Sequence, residues 1–118
     1  MSVLSKDYVI IDLETTGLDL NRDEIIEIAG VKVSRGAVVE EFSTFVSCSR
    51  PLSAEISDLT GITNEMLIGQ PTIEEILDDF TDFVKGCELV AHNAEFDSSF
   101  LHRERFAFLY EPLKIYGM

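Results

Sequence analysis

Tyr8-Val9-Ile10-Ile11-Asp12-Leu13-Glu14-Thr15-Thr16-Gly17 is an apolar, β-branched run that ends in two carboxylates and a turn. Such a run reads as a buried strand. Side chains alternate faces along a strand, so Asp12 and Glu14 project from the same side. Like charges at the end of a buried strand repel one another, and burying them costs solvation energy. A cation removes both penalties, and a site that offers only oxygen suits Mg²⁺ or Mn²⁺. Thr15, Thr16 and Gly17 stop the strand and supply hydroxyls, backbone N–H groups and a flexible turn. The segment therefore reads as a metal site.

Working outward, Leu18 to Asp23 is a polar turn and Glu24 to Val33 a second strand. Ser34-Arg35-Gly36 forms a hairpin turn into a third strand, Ala37 to Val46, which makes an antiparallel β-meander. Pro51 and Ser53 open a short helix that reaches Leu59 and closes near Gly61. Thr72 and Glu75 have the spacing of a capping box, and Ile73, Ile76, Leu77, Phe80, Phe83 and Val84 follow at helical spacing. Glu74, Glu75, Asp78, Asp79 and Asp82 fill the opposite, solvated face. Gly86 ends that helix, Glu88 to Ala91 is a short apolar strand, and a last helix follows the turn at His92-Asn93. Three strands, a helical crossover and a fourth strand imply an α/β fold. Its mixed sheet has the fourth strand parallel to the first. Ligands gather at the carboxyl ends of such neighbouring strands.

Those ends carry a second constellation, Val90-Ala91-His92-Asn93-Ala94-Glu95-Phe96-Asp97-Ser98-Ser99-Phe100-Leu101. Phe96 and Phe100 are four apart on the helix and face the core, which turns Asp97 back toward Asp12. A third carboxylate allows two ions to be held ~3.5–4 Å apart, the arrangement that activates water and stabilises a leaving oxygen in phosphodiester hydrolysis. Each element alone is weak. Asp97 also reads as a first-turn acid favoured by the helix dipole, Asn93 as an N-cap, and His92 as a turn residue. Their order, on strands expected to be adjacent, makes the combination specific.

The bulk composition constrains the partners. The chain has 118 residues, 46 % of them hydrophobic, and no linker or repeat divides it, so it reads as one domain over residues 1–118. No apolar stretch approaches the ~20 residues of a membrane span. The segment from Met1 to Lys6 is too short and polar for a secretory signal. Cys48 and Cys87 have no motif spacing and read as reduced thiols of a cytoplasmic protein. A net charge of −13, from nine basic and 22 acidic residues, argues against tight non-specific duplex binding. Contact with a strand end through metal ions tolerates that charge, and a sustained grip on DNA then comes from a partner.

Asp12-Leu13-Glu14-Thr15-Thr16-Gly17 and His92-Asn93-Ala94-Glu95-Phe96-Asp97 resemble the first and second motifs of the DnaQ-like (DEDD, DEDDh type) 3′→5′ exonucleases. The segment from Pro51 to Met66 is similar to the region between those motifs. Within the family, the proofreading exonucleases of bacterial DNA polymerase III, epsilon or PolC type, are the most similar. The resemblance implies a ribonuclease-H-like fold, two Mg²⁺ or Mn²⁺ ions, and Asp12, Glu14 and Asp97 as metal ligands. It implies that Thr15, Thr16, Gly17 and Leu18 line the pocket for the 3′-terminal nucleotide, with His92, Asn93, Phe96 and Phe100 completing its wall. The implied partners are a single-stranded or frayed DNA 3′ end and a DNA polymerase III catalytic subunit or domain.

One departure stands out. The family's third motif, His-x-Ala-x-x-Asp, supplies a general-base histidine and a fourth carboxylate, and these 118 residues contain no such segment. His102, just after Asp97 on the helix, reads as an exposed residue and not a substitute. The chain as given is thus expected to be incomplete at its C-terminus, weak in hydrolysis, and open to dimerisation through an exposed sheet edge. Leu113 to Met118 reads as the start of a further element. A haloacid-dehalogenase-type phosphatase also places acids after an apolar strand, but here the second acid is Glu14, and no later Lys or paired Asp follows. An EF-hand fails because Glu24 and Gly30 stand where Gly and Glu are required. The remaining alternatives are a degenerate exonuclease fold that binds protein, and an RNA 3′-exonuclease.

Overall fold

A computed structural model of the protein describes residues 7–104 and 115–117. The elements are β1 (Tyr8–Thr15), β2 (Ile25–Ser34), β3 (Ala37–Phe45), α1 (Ala54–Thr60), α2 (Asn64–Leu67), α3 (Ile73–Val84), β4 (Glu88–Ala91), α4 (Ala94–Arg103) and β5 (Ile115–Gly117). The strands lie in the order β3-β2-β1-β4-β5. β1 and β3 are antiparallel to β2, β4 is parallel to β1, and β5 is parallel to β4. This is the mixed sheet that the strand–helix–strand order predicts. β5 corresponds to the further element expected after Leu113, although Leu113, Lys114 and Met118 themselves lie outside the described residues, as do Met1 to Lys6.

Local chemistry sets the boundaries. Arg35 (φ 51°) and Gly36 (φ 80°) are successive left-handed residues, which suits a two-residue hairpin turn whose twist matches its strands. Ser53 caps α1 by accepting from the Ile56 N–H at 3.2 Å, and Gly61, left-handed at φ 78°, closes it. At α3, the Thr72 hydroxyl oxygen accepts from the Glu75 N–H at 3.3 Å, while the Glu75 carboxylate accepts from the Thr72 hydroxyl. The reciprocal box forms instead at α2, where the Met66 sulfur takes the Thr63 N–H at 3.4 Å. The four residues of α2 are too few to show a period in the sequence.

Alternation along β1 buries Val9, Ile11, Leu13 and Thr15 and turns Tyr8, Ile10, Asp12 and Glu14 the other way. The buried set packs under α3 and α4 with Ile28, Phe80, Phe83, Val84, Leu89, Phe100 and Leu101. α3 contributes the largest anchors. Phe80 meets the edge of Phe42 with ring centroids 5.4 Å apart, and Phe83 lies so close to the sheet that a Cβ on Gly30 would come within 3.0 Å of its ring. A smaller cluster, Ile26, Leu52, Ile62 and Leu67, seats the α1–α2 segment. No described helix is long and apolar enough to cross a membrane.

Candidate active site

β4 stops at Ala91, opposite Ile11, so the rest of β1 from Asp12 to Thr15 runs past its parallel neighbour. α4 starts three residues after Ala91 and leads away from that notch. The notch is the carboxyl end of two neighbouring parallel strands, where an open α/β sheet offers room for a ligand. Asp12 is exposed there, Glu14 is half-buried, and Asp97, in the first turn of α4, is buried at 5 % exposure.

A fourth acid joins them. Glu27 of β2 stands directly opposite Glu14, and directly opposed residues of an antiparallel pair share a face. The acids perturb one another. Burial, then the charges of Asp12 and Glu14, pushes Asp97 up to about 7. Burial, then Asp12 and Glu27, raises Glu14, while burial and then Asp12 raises Glu27. Among the described residues no Lys or Arg pairs with any of the four. Burial without a counter-charge explains all three shifts.

Among the described residues, no three His, Cys, Asp or Glu side chains gather tightly enough to enclose an ion. The donor chemistry nonetheless fits a hard divalent cation, because the acids offer only oxygen and, among the described residues, have no cationic partner.

The hydroxyls of Thr15 and Thr16 are occupied within the chain. Thr15 donates to the Gly17 carbonyl at 2.6 Å. Thr16 donates to the Asp23 carboxylate and accepts from the Glu24 N–H, both at 3.0 Å. Asp23 also accepts from the Asp19 N–H at 2.8 Å, which closes the β1–β2 loop on itself. A Cβ on Gly17 would fall on that carboxylate, 2.7 Å from its Cγ. Gly17→Ala is therefore expected to expel the Asp23 carboxylate from its two bonds. The expected loss is about 1–3 kcal/mol of stability, measured by urea denaturation, together with greater protease sensitivity of residues 18–23.

Against α4, the helix that carries Asp97, a cavity of about 320 Å³ is lined by Leu18, Leu20, Asn93, Glu95, Phe96, Ser99 and Phe100. Of the residues expected at a nucleotide pocket, the structure brings Leu18, Asn93, Phe96 and Phe100 together here. Thr15, Thr16 and Gly17 shape the loop behind it, and His92 is exposed outside this lining. Asn93 occupies the N-cap position of α4, but its side chain makes no capping bond. A larger cleft of about 680 Å³ involves Arg22, Arg50 and Arg103; none of the four acids lines either space, and the smaller cavity is the one built on the helix that carries Asp97, with its neighbour Phe96 in the wall.

Sequence reading missed Leu20, Glu95, Ser99 and Glu27. Glu95 and Ser99 lie four apart on one helix face, with the Ser99 hydroxyl donating to the Glu95 carbonyl at 2.8 Å, and helical spacing alone carries that signal. For Glu27 the signal is a lone acid between two isoleucines, Ile26 and Ile28, that are both 0 % exposed.

Known proteins resemble this chain. DNA polymerase III PolC-type from Halalkalibacterium halodurans is 45 % identical over 100 residues, covering 85 % of this chain and 7 % of that protein. DNA polymerase III subunit epsilon from Aquifex aeolicus is 44 % identical over 102 residues, covering 86 % of this chain and 50 % of that protein. The chain thus spans a small part of the PolC-type relatives and half of the epsilon subunit. Among solved structures, exonuclease X in complex with 5′-overhanging duplex DNA superimposes with a TM-score of 0.66 at 37 % identity, over 79 % of this chain and 52 % of that one. Exonuclease I from Methylocaldum szegediense shares the fold, with a TM-score of 0.74 at 21 % identity over 85 % of this chain and 23 % of that one. The family model described as Exonuclease (RNase_T) matches residues 9–116, and the chain belongs to that exonuclease family.

Proposed function

We propose that the chain is the 3′→5′ exonuclease unit of a bacterial DNA polymerase III of PolC or epsilon type. It removes nucleotides one at a time from a single-stranded or frayed DNA 3′ end by two-metal-ion hydrolysis. The observation that carries this reading is a set of acids that perturb one another, unpaired with Lys or Arg among the described residues, and an apolar pocket on the helix that carries one of them, in a chain of the exonuclease family.

Phe96 and Phe100, with ring centroids 4.8 Å apart, offer an apolar wall to the terminal base. Stacking of a base on such a wall contributes ~1–3 kcal/mol. Leu18, 85 % exposed at the pocket edge, is placed to separate the last base from its neighbour. The Asn93 amide, unused by the helix cap, offers a donor and an acceptor to base or sugar. Asp12, Glu14 and Asp97 would hold Mg²⁺ or Mn²⁺, which supplies charge neutralisation at the phosphate and an activated water. The acidic surface leaves sustained DNA binding to a polymerase partner in the cytoplasm.

The test is a 5′-labelled single strand, with products resolved to single nucleotides. A ladder shortening from the 3′ end, absent in EDTA and restored by Mn²⁺, is the expected result. Activity that persists in EDTA, or in Asp12→Ala, overturns the reading.

A further inference from the structure

We propose that Arg103 is a positioning residue that straps the β1–β2 loop to α4 and thereby sets the width of the terminal-nucleotide pocket. This rests on the nucleotide-binding role given to that pocket above. Arg103 is the last residue of α4, and its side chain is 26 % exposed. Its Nη1 donates to the Leu20 carbonyl at 2.9 Å and to the Asp23 carbonyl. The guanidinium lies over the Phe100 ring, 4.8 Å from the centroid, and Nη2 pairs with Glu104. Leu20 and Phe100 line the same cavity, one in the wall given by the loop and one in the wall given by the helix. A single cation therefore touches both walls.

Among the described residues, every hydrogen bond between this loop and α4 comes from Arg103. The loop is stiff within itself, because Asp19 accepts from the N–H groups of Arg22 and Asp23 at 3.1 and 2.7 Å. It moves as one piece, and the strap decides where that piece sits. Only a planar fork can serve two carbonyls, a carboxylate and a ring face together, so lysine is a poor substitute. With these directions taken, Arg103 is not a free hook for phosphate.

The experiment measures dTMP affinity of the 118-residue chain in Mn²⁺ by isothermal titration, with Mn²⁺ affinity measured separately by electron paramagnetic resonance. Arg103→Ala is expected to weaken dTMP roughly tenfold, the effect of about one charge-assisted hydrogen bond, with Mn²⁺ affinity retained. Arg103→Lys keeps the charge and stem but is expected to stay weakened. It also serves as the folded variant if circular dichroism shows that Arg103→Ala does not fold. Wild-type dTMP affinity in either folded variant overturns the strap, as does a parallel loss of Mn²⁺ affinity. A wild-type chain that does not bind dTMP overturns the pocket and the strap together. A chain that binds dTMP without shortening DNA refutes the exonuclease reading and leaves the strap measurable.

Discussion

Asp97→Asn is expected to raise the melting temperature in metal-free buffer at pH 8 and, with Mn²⁺ present, to lower 3′-end hydrolysis on the order of 10³-fold. The two effects share one cause. Asp97 is buried beside Asp12 and Glu14, and its pKa rises from an ordinary 3.8 to about 7. A folded-state pKa above the unfolded one means that the folded protein holds the proton more tightly. The stability from this group is therefore fully present below about pH 4 and is lost as pH rises to about 7. Partial access to water screens the charge, so about 2 kcal/mol is at stake. For a domain of this size that corresponds to several degrees.

Asparagine keeps the shape and removes the repulsion, so the variant lacks that pH dependence. Mn²⁺ is expected to stabilise the wild type, by ~2.7 kcal/mol at a hundredfold excess over its dissociation constant, and to do far less for Asp97→Asn. The lost activity follows from the several kcal/mol of transition-state stabilisation that a correctly placed metal contributes. Urea melts from pH 4 to 8, with and without Mn²⁺, check both signs. Destabilisation by Asp97→Asn at pH 8 would sink the account.

Phe80→Ala is expected to destabilise the protein by ~3–5 kcal/mol, a large part of the 5–15 kcal/mol typical of a domain. Phe80 is 0 % exposed, lies at the centre of α3 and meets Phe42 edge to face at 5.4 Å. The pairing with Phe42 adds ~0.5–1.5 kcal/mol beyond burial. α3 is also the connection that returns the chain to β4. Without its docking, β4 loses its seat beside β1 and Asp97 is no longer brought to Asp12. Leu77→Ala, on the same helix but only half-buried, is expected to cost less than half as much. Thermal denaturation of the two variants separates these values, and a loss below about 1 kcal/mol at Phe80 would show that α3 is not the anchor described.

Much of this was legible in the chain because its signals are local. Alternation from Tyr8 to Glu14 gave the face of each carboxylate, Arg35-Gly36 gave the hairpin, and Ser53, Thr72 and Gly61 marked helix ends. What escaped depends on contacts between distant segments. Glu27 meets Glu14 through a cross-strand register that either strand alone does not specify. Leu20 reaches the pocket wall because Arg103, 83 residues later, holds its carbonyl. The loop bonds of the Thr15 and Thr16 hydroxyls to Gly17, Asp23 and Glu24 are likewise not revealed by spacing.

β1 is paired on both sides from Tyr8 to Ile11, by β2 and by β4. Amide hydrogens in that stretch can exchange with deuterium only when the sheet itself opens, whereas those of residues 18–23 exchange through far smaller fluctuations. Asp12 and Glu14 continue directly from that doubly paired stretch, while the lip of the cavity is held by bonds local to its own loop. A nucleotide can enter and leave as the lip opens locally, without Asp12 or Glu14 changing place.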